Sequence, residues 1–111
     1  MNRQRVALRI AADHPALAGH FPGYPIVPGV VLLDETLHAI ELAHAAGSDT
    51  NLWHIGNVKF HHIARAGEDM QLEFEPQADG QVHFELRRAD ALVASGIVKR
   101  RARLRAVVST S

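Results

Sequence analysis

A histidine and an aspartate fourteen residues apart are the pair in this sequence best placed for acid–base chemistry. His20 lies in the segment 19–30, which contains three prolines and three glycines. Proline fixes φ and glycine permits close backbone approach, so we expect this loop to be stiff. Asp34 follows in the second turn of a predicted helix. We therefore expect the chemistry where the histidine loop meets that helix.

The predicted helix runs from Val30 to Ala46, and Gly47 is a suitable C-terminal stop. At 100° per residue, one narrow stripe carries Asp34, His38 and Glu41. Most of the remaining circumference is Val, Leu, Ile or Ala, and a helix that is apolar nearly all round is usually buried within a domain. It is too short and too charged to be a membrane span.

The other elements have the two-residue period of strands. Alternation predicts a strand at Val6–Ile10, and the period returns from Leu52 onwards. The phase switches at Gly56–Asn57, which predicts a bulge. Asp79–Gly80 is a hairpin signal, and the more uniformly apolar Ala91–Val98 reads as a central strand.

The order strand, long helix, four strands predicts an α+β fold in which an antiparallel sheet wraps one central helix. The length of 111 residues suits one domain covering 1–111. One sheet face should bury the helix, while the other is solvated or meets a partner. We also expect a turn at Ala64–Glu68, and a basic strand at Lys99–Arg105.

Bulk composition gives no support to several function classes. Twelve basic and twelve acidic residues give zero net charge, which offers no argument for nucleic acid or a membrane surface. The sequence has no cysteine, so it predicts neither disulfides nor a thiolate zinc site.

His20, Asp34 and His38 could in principle bind a metal, but no dense ligand spacing supports this, so we expect no metal and no cofactor. With no apolar signal core, we expect a cytoplasmic protein.

Two blocks carry a resemblance to a known family. The stretch from His20 to Val30 reads HFPGYPIVPGV, and residues 58–62 read VKFHH before AGE at 66–68. The first resembles the H-F-x-G-x-P-x-x-P-G signature of the hot-dog-fold 3-hydroxyacyl-acyl-carrier-protein dehydratases, with its acid fourteen residues after the histidine. The second is similar to their V-K-F-R-R segment and P-G-D turn. The resemblance spans about Val6 to Val98.

The resemblance implies a hot-dog fold, a homodimer and dehydration of an (R)-3-hydroxyacyl chain on acyl carrier protein or a related thioester. It implies that His20 is the base, that Asp34 is the acid, and that the Gly29 N–H binds the thioester oxygen. These assignments suit the near-neutral pKa of histidine, a carboxyl kept protonated in apolar surroundings, and the positive end of a helix. It also implies that His20 of one subunit faces Asp34 of the other.

Further substrate-binding positions are expected around these residues: Phe21, Val30, Leu33 and His38. His38 stands where the family often has glutamine; it could orient Asp34 or lie at the surface or dimer seam. His61 and His62 replace family arginines, and as neighbours on a predicted strand they should point to opposite faces.

Alternative functions remain open at the level of the sequence. One is a hot-dog acyl thioesterase, and another is a catalytically silent hot-dog subunit that pairs with an active partner. The basic stretch Lys99–Arg105 is either a solvated strand or a docking surface for an acidic carrier protein.

Overall fold

The computed structural model describes residues 3–11, 13–14, 26–44 and 51–102, with side chains for all of these except 44, 51, 52 and 100–102. The elements, in chain order, are β1 (Gln4–Leu8), α1 (Gly29–His44), β2 (Asn51–Phe60), β3 (Met70–Pro76), β4 (Gln81–Arg88) and β5 (Ala91–Ala102). This confirms the predicted order of one strand, one long helix and four strands.

Two element boundaries differ from the prediction. Helix α1 begins at Gly29, one residue earlier, because the carbonyl of Pro28 already accepts the N–H groups of Val31 and Leu32 at 3.0 Å each. Its predicted end at Ala46 and Gly47 lies outside the described residues. Strand β1 ends at Leu8 and not at Ile10, because its partner β3 begins opposite Leu8, at Met70.

The five strands form one antiparallel sheet in the order β1-β3-β4-β5-β2. β5 lies between β4 and β2, as its apolar composition predicted. The predicted bulge is confirmed, since the β2–β5 register shifts between Ile55 and Asn57. The chains approach closely there: a Cβ added to Gly96 would lie 2.7 Å from the Asn57 carbonyl oxygen. Only glycine fits that crossing without a backbone shift.

The predicted hairpin is also confirmed. Strands β3 and β4 pair from Gln71 opposite Arg87 to Pro76 opposite Val82. Gly80 has a φ of 90°, and the Asp79 carboxylate accepts the Gln81 N–H at 3.0 Å. The dipeptide thus supplies both the left-handed backbone and the local acceptor that a tight turn needs.

The core lies between the helix and the inner face of the sheet. Alternate strand residues fill it, together with Leu32 and Ile40 of α1. The fully buried strand residues include Leu72, Phe74, Leu86, Val93 and Val98. The helix is less enclosed than its composition predicted, since Val30 is 75% exposed and Leu42 is 69% exposed. Its apolar circumference exceeds what one sheet can cover.

Candidate active site

His20 and Phe21 lie outside the described residues, so their predicted roles stay predictions. The chain is described again from Ile26, directly before the helix. Before the histidine loop, the His14 Nε2 atom pairs with the Glu35 Oε2 atom at 2.8 Å. Both side chains are about three-quarters buried, at 22% and 28% exposure. This pair ties the chain before the histidine loop to the helix residue next to Asp34.

Gly29 is the first residue of α1, as the site prediction requires. The backbone N–H groups at a helix start point away from the helix body and carry the positive end of its dipole. The first turn contains no acidic residue that would neutralise this end. The N-terminus of α1 is therefore able to stabilise negative charge on a bound oxygen atom.

An apolar groove of about 340 Å³ opens at this helix start. We call it the helix-start groove. Its lining combines the first helical turn, the end of β2 and the turn that follows: Ile26, Val27, Gly29, Leu32, Phe60, His61, His62, Ile63 and Ala64. Phe60 and Ile63 are 49% and 58% exposed. A thioester held by the Gly29 N–H could extend an acyl chain along this apolar surface.

Asp34 lines a different groove, of about 290 Å³, on the other side of the helix. We call it the acidic groove; its lining residues are Asp34, Glu35, Leu37, His38, Glu41 and Trp53. Asp34 lies five positions after Gly29 in the helix, which places the two residues about 140° apart around the axis. Within one chain, Asp34 therefore faces away from the helix-start groove.

The predicted helical stripe is confirmed, since Asp34, His38 and Glu41 all line the acidic groove. His38 lines the same groove as Asp34, one turn further on, as the i, i+4 spacing requires. The described residues do not provide the expected apolar setting of Asp34, because Asp34 is exposed and the groove holds two further carboxylates.

Two other predicted binding residues lie elsewhere. Val30 is exposed, and Leu33 is half-buried against the core, so neither lines either groove. His61 and His62 follow the end of β2 and are not within a strand, contrary to the prediction. Their ring nitrogens have different partners on β5: His61 Nε2 lies 3.0 Å from Ser95 Oγ, and His62 Nδ1 lies 2.8 Å from the Leu92 carbonyl oxygen.

Trp53 is a lining residue that the sequence analysis missed. Its indole Nε1 donates to the Glu41 carboxylate at 2.5 Å, which joins β2 to the helix across the acidic groove. The one sequence feature that pointed towards this contact was Glu41, which lies on the same helical stripe as Asp34. Nothing in the sequence indicates which strand residue meets it.

Among the residues that the structure describes, no cluster of three or more side chains could hold a metal ion. Within the same residues, no helix is long and apolar enough to cross a membrane.

Comparison with known proteins identifies the family. The family model of the ApeI-like proteins, described as ApeI dehydratase, matches residues 1–97. The chain belongs to this ApeI-like dehydratase family. The 3-hydroxyacyl-[acyl-carrier-protein] dehydratase FabZ of Chloroflexus aggregans is 32% identical over 71 residues, which cover 60% of this chain and 49% of that protein. The chain thus spans about half the length of the curated relatives it matches.

Solved structures establish the fold as the hot-dog fold. The dehydratase heterocomplex ApeI:P from Xenorhabdus doucetiae matches with a TM-score of 0.66 at 21% identity, covering 90% of this chain and 94% of that one. The fluoroacetyl-CoA thioesterase FlK matches with a TM-score of 0.67 at 14% identity, covering 89% and 83%. At these identities the likeness concerns the fold alone, and the fold is shared by a dehydratase complex and a thioesterase.

Proposed function

We propose that this ApeI-like protein dehydrates an (R)-3-hydroxyacyl thioester, carried on acyl carrier protein or a similar carrier, to the trans-2-enoyl thioester. The observation that carries the proposal is the helix start at Gly29, which opens into an apolar groove and has no acid in its first turn. The family signature, with His20 before this glycine and Asp34 after it, supplies the base and the acid. The FabZ relatives are named for this reaction.

The proposed chemistry needs three groups. His20 removes a proton from C2, next to the thioester carbonyl, while the Gly29 N–H stabilises the charge that develops on the carbonyl oxygen. The C2=C3 double bond forms as the C3–O bond breaks, and Asp34 gives its proton to the departing hydroxyl, which leaves as water. A net proton transfer from His20 to Asp34 then restores the starting state.

We propose that the two groups come from different chains. Asp34 faces away from the helix-start groove of its own chain, and it is exposed. Strand β2 is an edge strand of the described sheet, and Ile55 and Phe60 on it are exposed. Exposed apolar edge strands are templates for pairing with another chain. A homodimer paired along β2 would supply Asp34 from one copy to the His20 of the other.

The carrier is proposed to dock through charge. Lys99 is exposed near the end of β5, and the sequence from Lys99 to Arg105 carries five basic residues. An acidic carrier protein would be attracted to such a stretch, more strongly at low salt. Unchanged carrier binding at low salt after alanine substitution of these basic residues would remove this part of the proposal.

A second candidate function is that of a silent subunit. The structural neighbour ApeI:P is described as a dehydratase heterocomplex, so hot-dog chains of related fold do act in mixed pairs. In that case this chain would support catalysis by another hot-dog protein. The presence of both His20 and Asp34 favours the active role, because a silent subunit has no need of the pair.

Product analysis separates the candidates. The purified chain is incubated with a 3-hydroxyacyl thioester, and the products are followed by mass spectrometry and by a free-thiol assay. Loss of one water with the thioester intact supports dehydration, whereas release of free thiol supports a thioesterase. Unreacted substrate with the chain alone, but dehydration after a second hot-dog subunit is added, supports the silent partner.

A further inference from the structure

The turn between β2 and β3 holds chain segments on both sides of His20 in the sequence. We call residues 63–68 the clamp turn. Its Ala64 carbonyl accepts the Val27 N–H at 2.8 Å, and its Gly67 N–H donates to the Ile10 carbonyl at 2.8 Å. In the sequence, Ile10 lies before the loop that carries His20, whereas Val27 lies near the end of that loop, two residues before Gly29. One short turn thus binds the chain on both sides of His20.

Two charged side chains fix the shape of the clamp turn. The Glu68 Oε1 atom accepts the Arg65 N–H at 2.8 Å and the Arg88 Nη1 donor at 2.9 Å. The same Arg88 nitrogen donates to the Ile63 carbonyl at 2.7 Å. Arg88 therefore reaches both ends of the turn from the end of β4, while Glu68 closes it from within.

The clamp turn is packed into the core and also borders the candidate site. Ala64 and Ala66 are 2% and 1% exposed, so the turn cannot shift without disturbing the core. Ile63 and Ala64 also line the helix-start groove. The pKa of Glu68 is lowered, first by the hydrogen bond from the Arg65 N–H and then by Arg88, so this carboxylate is charged at neutral pH.

We infer that Arg88 and Glu68 are positioning residues for the candidate site: they lock the clamp turn, and the clamp turn sets where the chain enters helix α1 at Gly29. Neither side chain lines the helix-start groove, so their effect passes through the backbone of Ala64 and Val27. The kinetic part of the test rests on the proposed dehydratase function, whereas the structural part does not.

The chain offers a matched control. Arg87 is the neighbouring residue on β4, and its Nη2 donates to Glu85 at 2.7 Å. Its side chain is 35% exposed against 29% for Arg88. Arg87→Met and Arg88→Met therefore remove the same group at similar exposure, but only the second removes a contact of the clamp turn.

The first measurement is amide hydrogen exchange of the full chain by NMR. In Arg88→Met, the Val27 and Gly67 amides should exchange about tenfold faster or more, because local opening of the turn frees both bonds. Amides in the β4–β5 ladder should keep their wild-type rates, which excludes global unfolding. In Arg87→Met, all of these rates should stay within about twofold of wild type. If the Val27 and Gly67 amides exchanged as fast in Arg87→Met as in Arg88→Met, the inference would be overturned.

The second measurement is the steady-state kinetics of the same variants. Arg88→Met should lower kcat by about tenfold with KM changed little, because a small displacement of reacting groups lowers the rate more than binding. Arg88→Lys, which keeps a cationic donor, should recover much of the loss. The double variant Glu68→Ala with Arg88→Met should show a smaller fold-decrease in kcat than the product of the two single fold-decreases, since both residues act on one turn.

The two proposals fail in distinguishable ways. A wild-type chain without dehydration activity contradicts the proposed function, and the exchange rates alone then decide on the clamp turn. An active wild type in which Arg88→Met and Arg87→Met have equal kcat contradicts the positioning role and leaves the proposed function standing.

Discussion

The ring of Phe60 lies against the first residue of the helix, Gly29. A Cβ added at position 29 would lie 3.2 Å from the ring carbons Cε2 and Cζ, closer than ordinary van der Waals contact. Phe60 ends strand β2, so the edge strand and the helix start meet at this point. The absence of a side chain at Gly29 lets an aromatic ring form one wall of the helix-start groove.

Gly29→Ala is expected to reduce activity more than stability. The half-exposed Phe60 ring can move outward by the few tenths of an ångström that the methyl group needs, so the free energy of unfolding should change by less than about 1 kcal/mol. The displaced ring disturbs the groove next to the Gly29 N–H, and kcat/KM should fall by about tenfold. Urea unfolding and thioester dehydration assays measure the two effects.

The double variant tests the cause. With Phe60→Leu present, Gly29→Ala meets a smaller side chain and should cost less activity than it does alone. Phe60→Leu by itself serves as the reference. An equal loss in both backgrounds would show that the ring contact is irrelevant to the effect.

Glu41→Gln is expected to loosen the contact between β2 and the helix. The Glu41 carboxylate accepts the Trp53 indole N–H, and a charged acceptor makes the stronger bond. The free energy of unfolding should fall by about 1 kcal/mol. Trp53 is the only tryptophan, so its fluorescence reports the change directly.

Trp53→Phe provides the control because it removes the donor and keeps an aromatic ring. In that background Glu41→Gln should leave stability nearly unchanged. Equal destabilisation with and without the indole would mean that Glu41 acts through another contact.

Glu68→Gln is expected to alter the acid dependence of stability. The pKa of Glu68 is lowered in the folded protein, mainly by the Arg65 N–H and also by Arg88. A lowered pKa means that the carboxylate stabilises the fold fully above the ordinary glutamate pKa of about 4.3, and that this contribution is lost as pH falls through the folded-state value. Wild type should therefore exceed Glu68→Gln in stability at pH 7.

The difference between the two proteins should shrink as the pH is lowered from 5 towards 3, as followed by urea unfolding at each pH. A difference that stays constant across this range would contradict the role given to the Glu68 charge. Glu85→Gln, on the outer face of the sheet, is the matched surface control.

Local patterns in the sequence were sufficient to predict the elements. The two-residue period, the phase switch at Gly56–Asn57 and the Asp79–Gly80 turn each depend on a few neighbouring residues, and the structure confirms them. The shorter β1 was not predictable from its own alternation. Its last pair, Leu8 with Met70, depends on where a distant strand begins.

The contacts that organise the candidate site are long-range and have no local signal. Arg88 meets Ile63 and Glu68 across twenty or more residues, and nothing in their spacing indicates the contact. The surroundings of Asp34 were likewise not predictable, because composition shows an apolar helix but not which stripe the sheet covers. The predicted roles of His20 and Phe21 come from the motif alone.

Mixing two inactive variants tests the central claim, that each site combines His20 of one chain with Asp34 of another. His20→Ala and Asp34→Asn are each purified alone as references, and the two variants are also coexpressed with different tags and purified together; enoyl thioester formation is measured by mass spectrometry. Each variant alone should be folded and inactive. Random pairing makes half of the dimers mixed, each with one intact site of two, so activity should return to about one quarter of wild type. A mixed preparation as inactive as its parents, or a His20→Ala protein as active as wild type, would contradict the account.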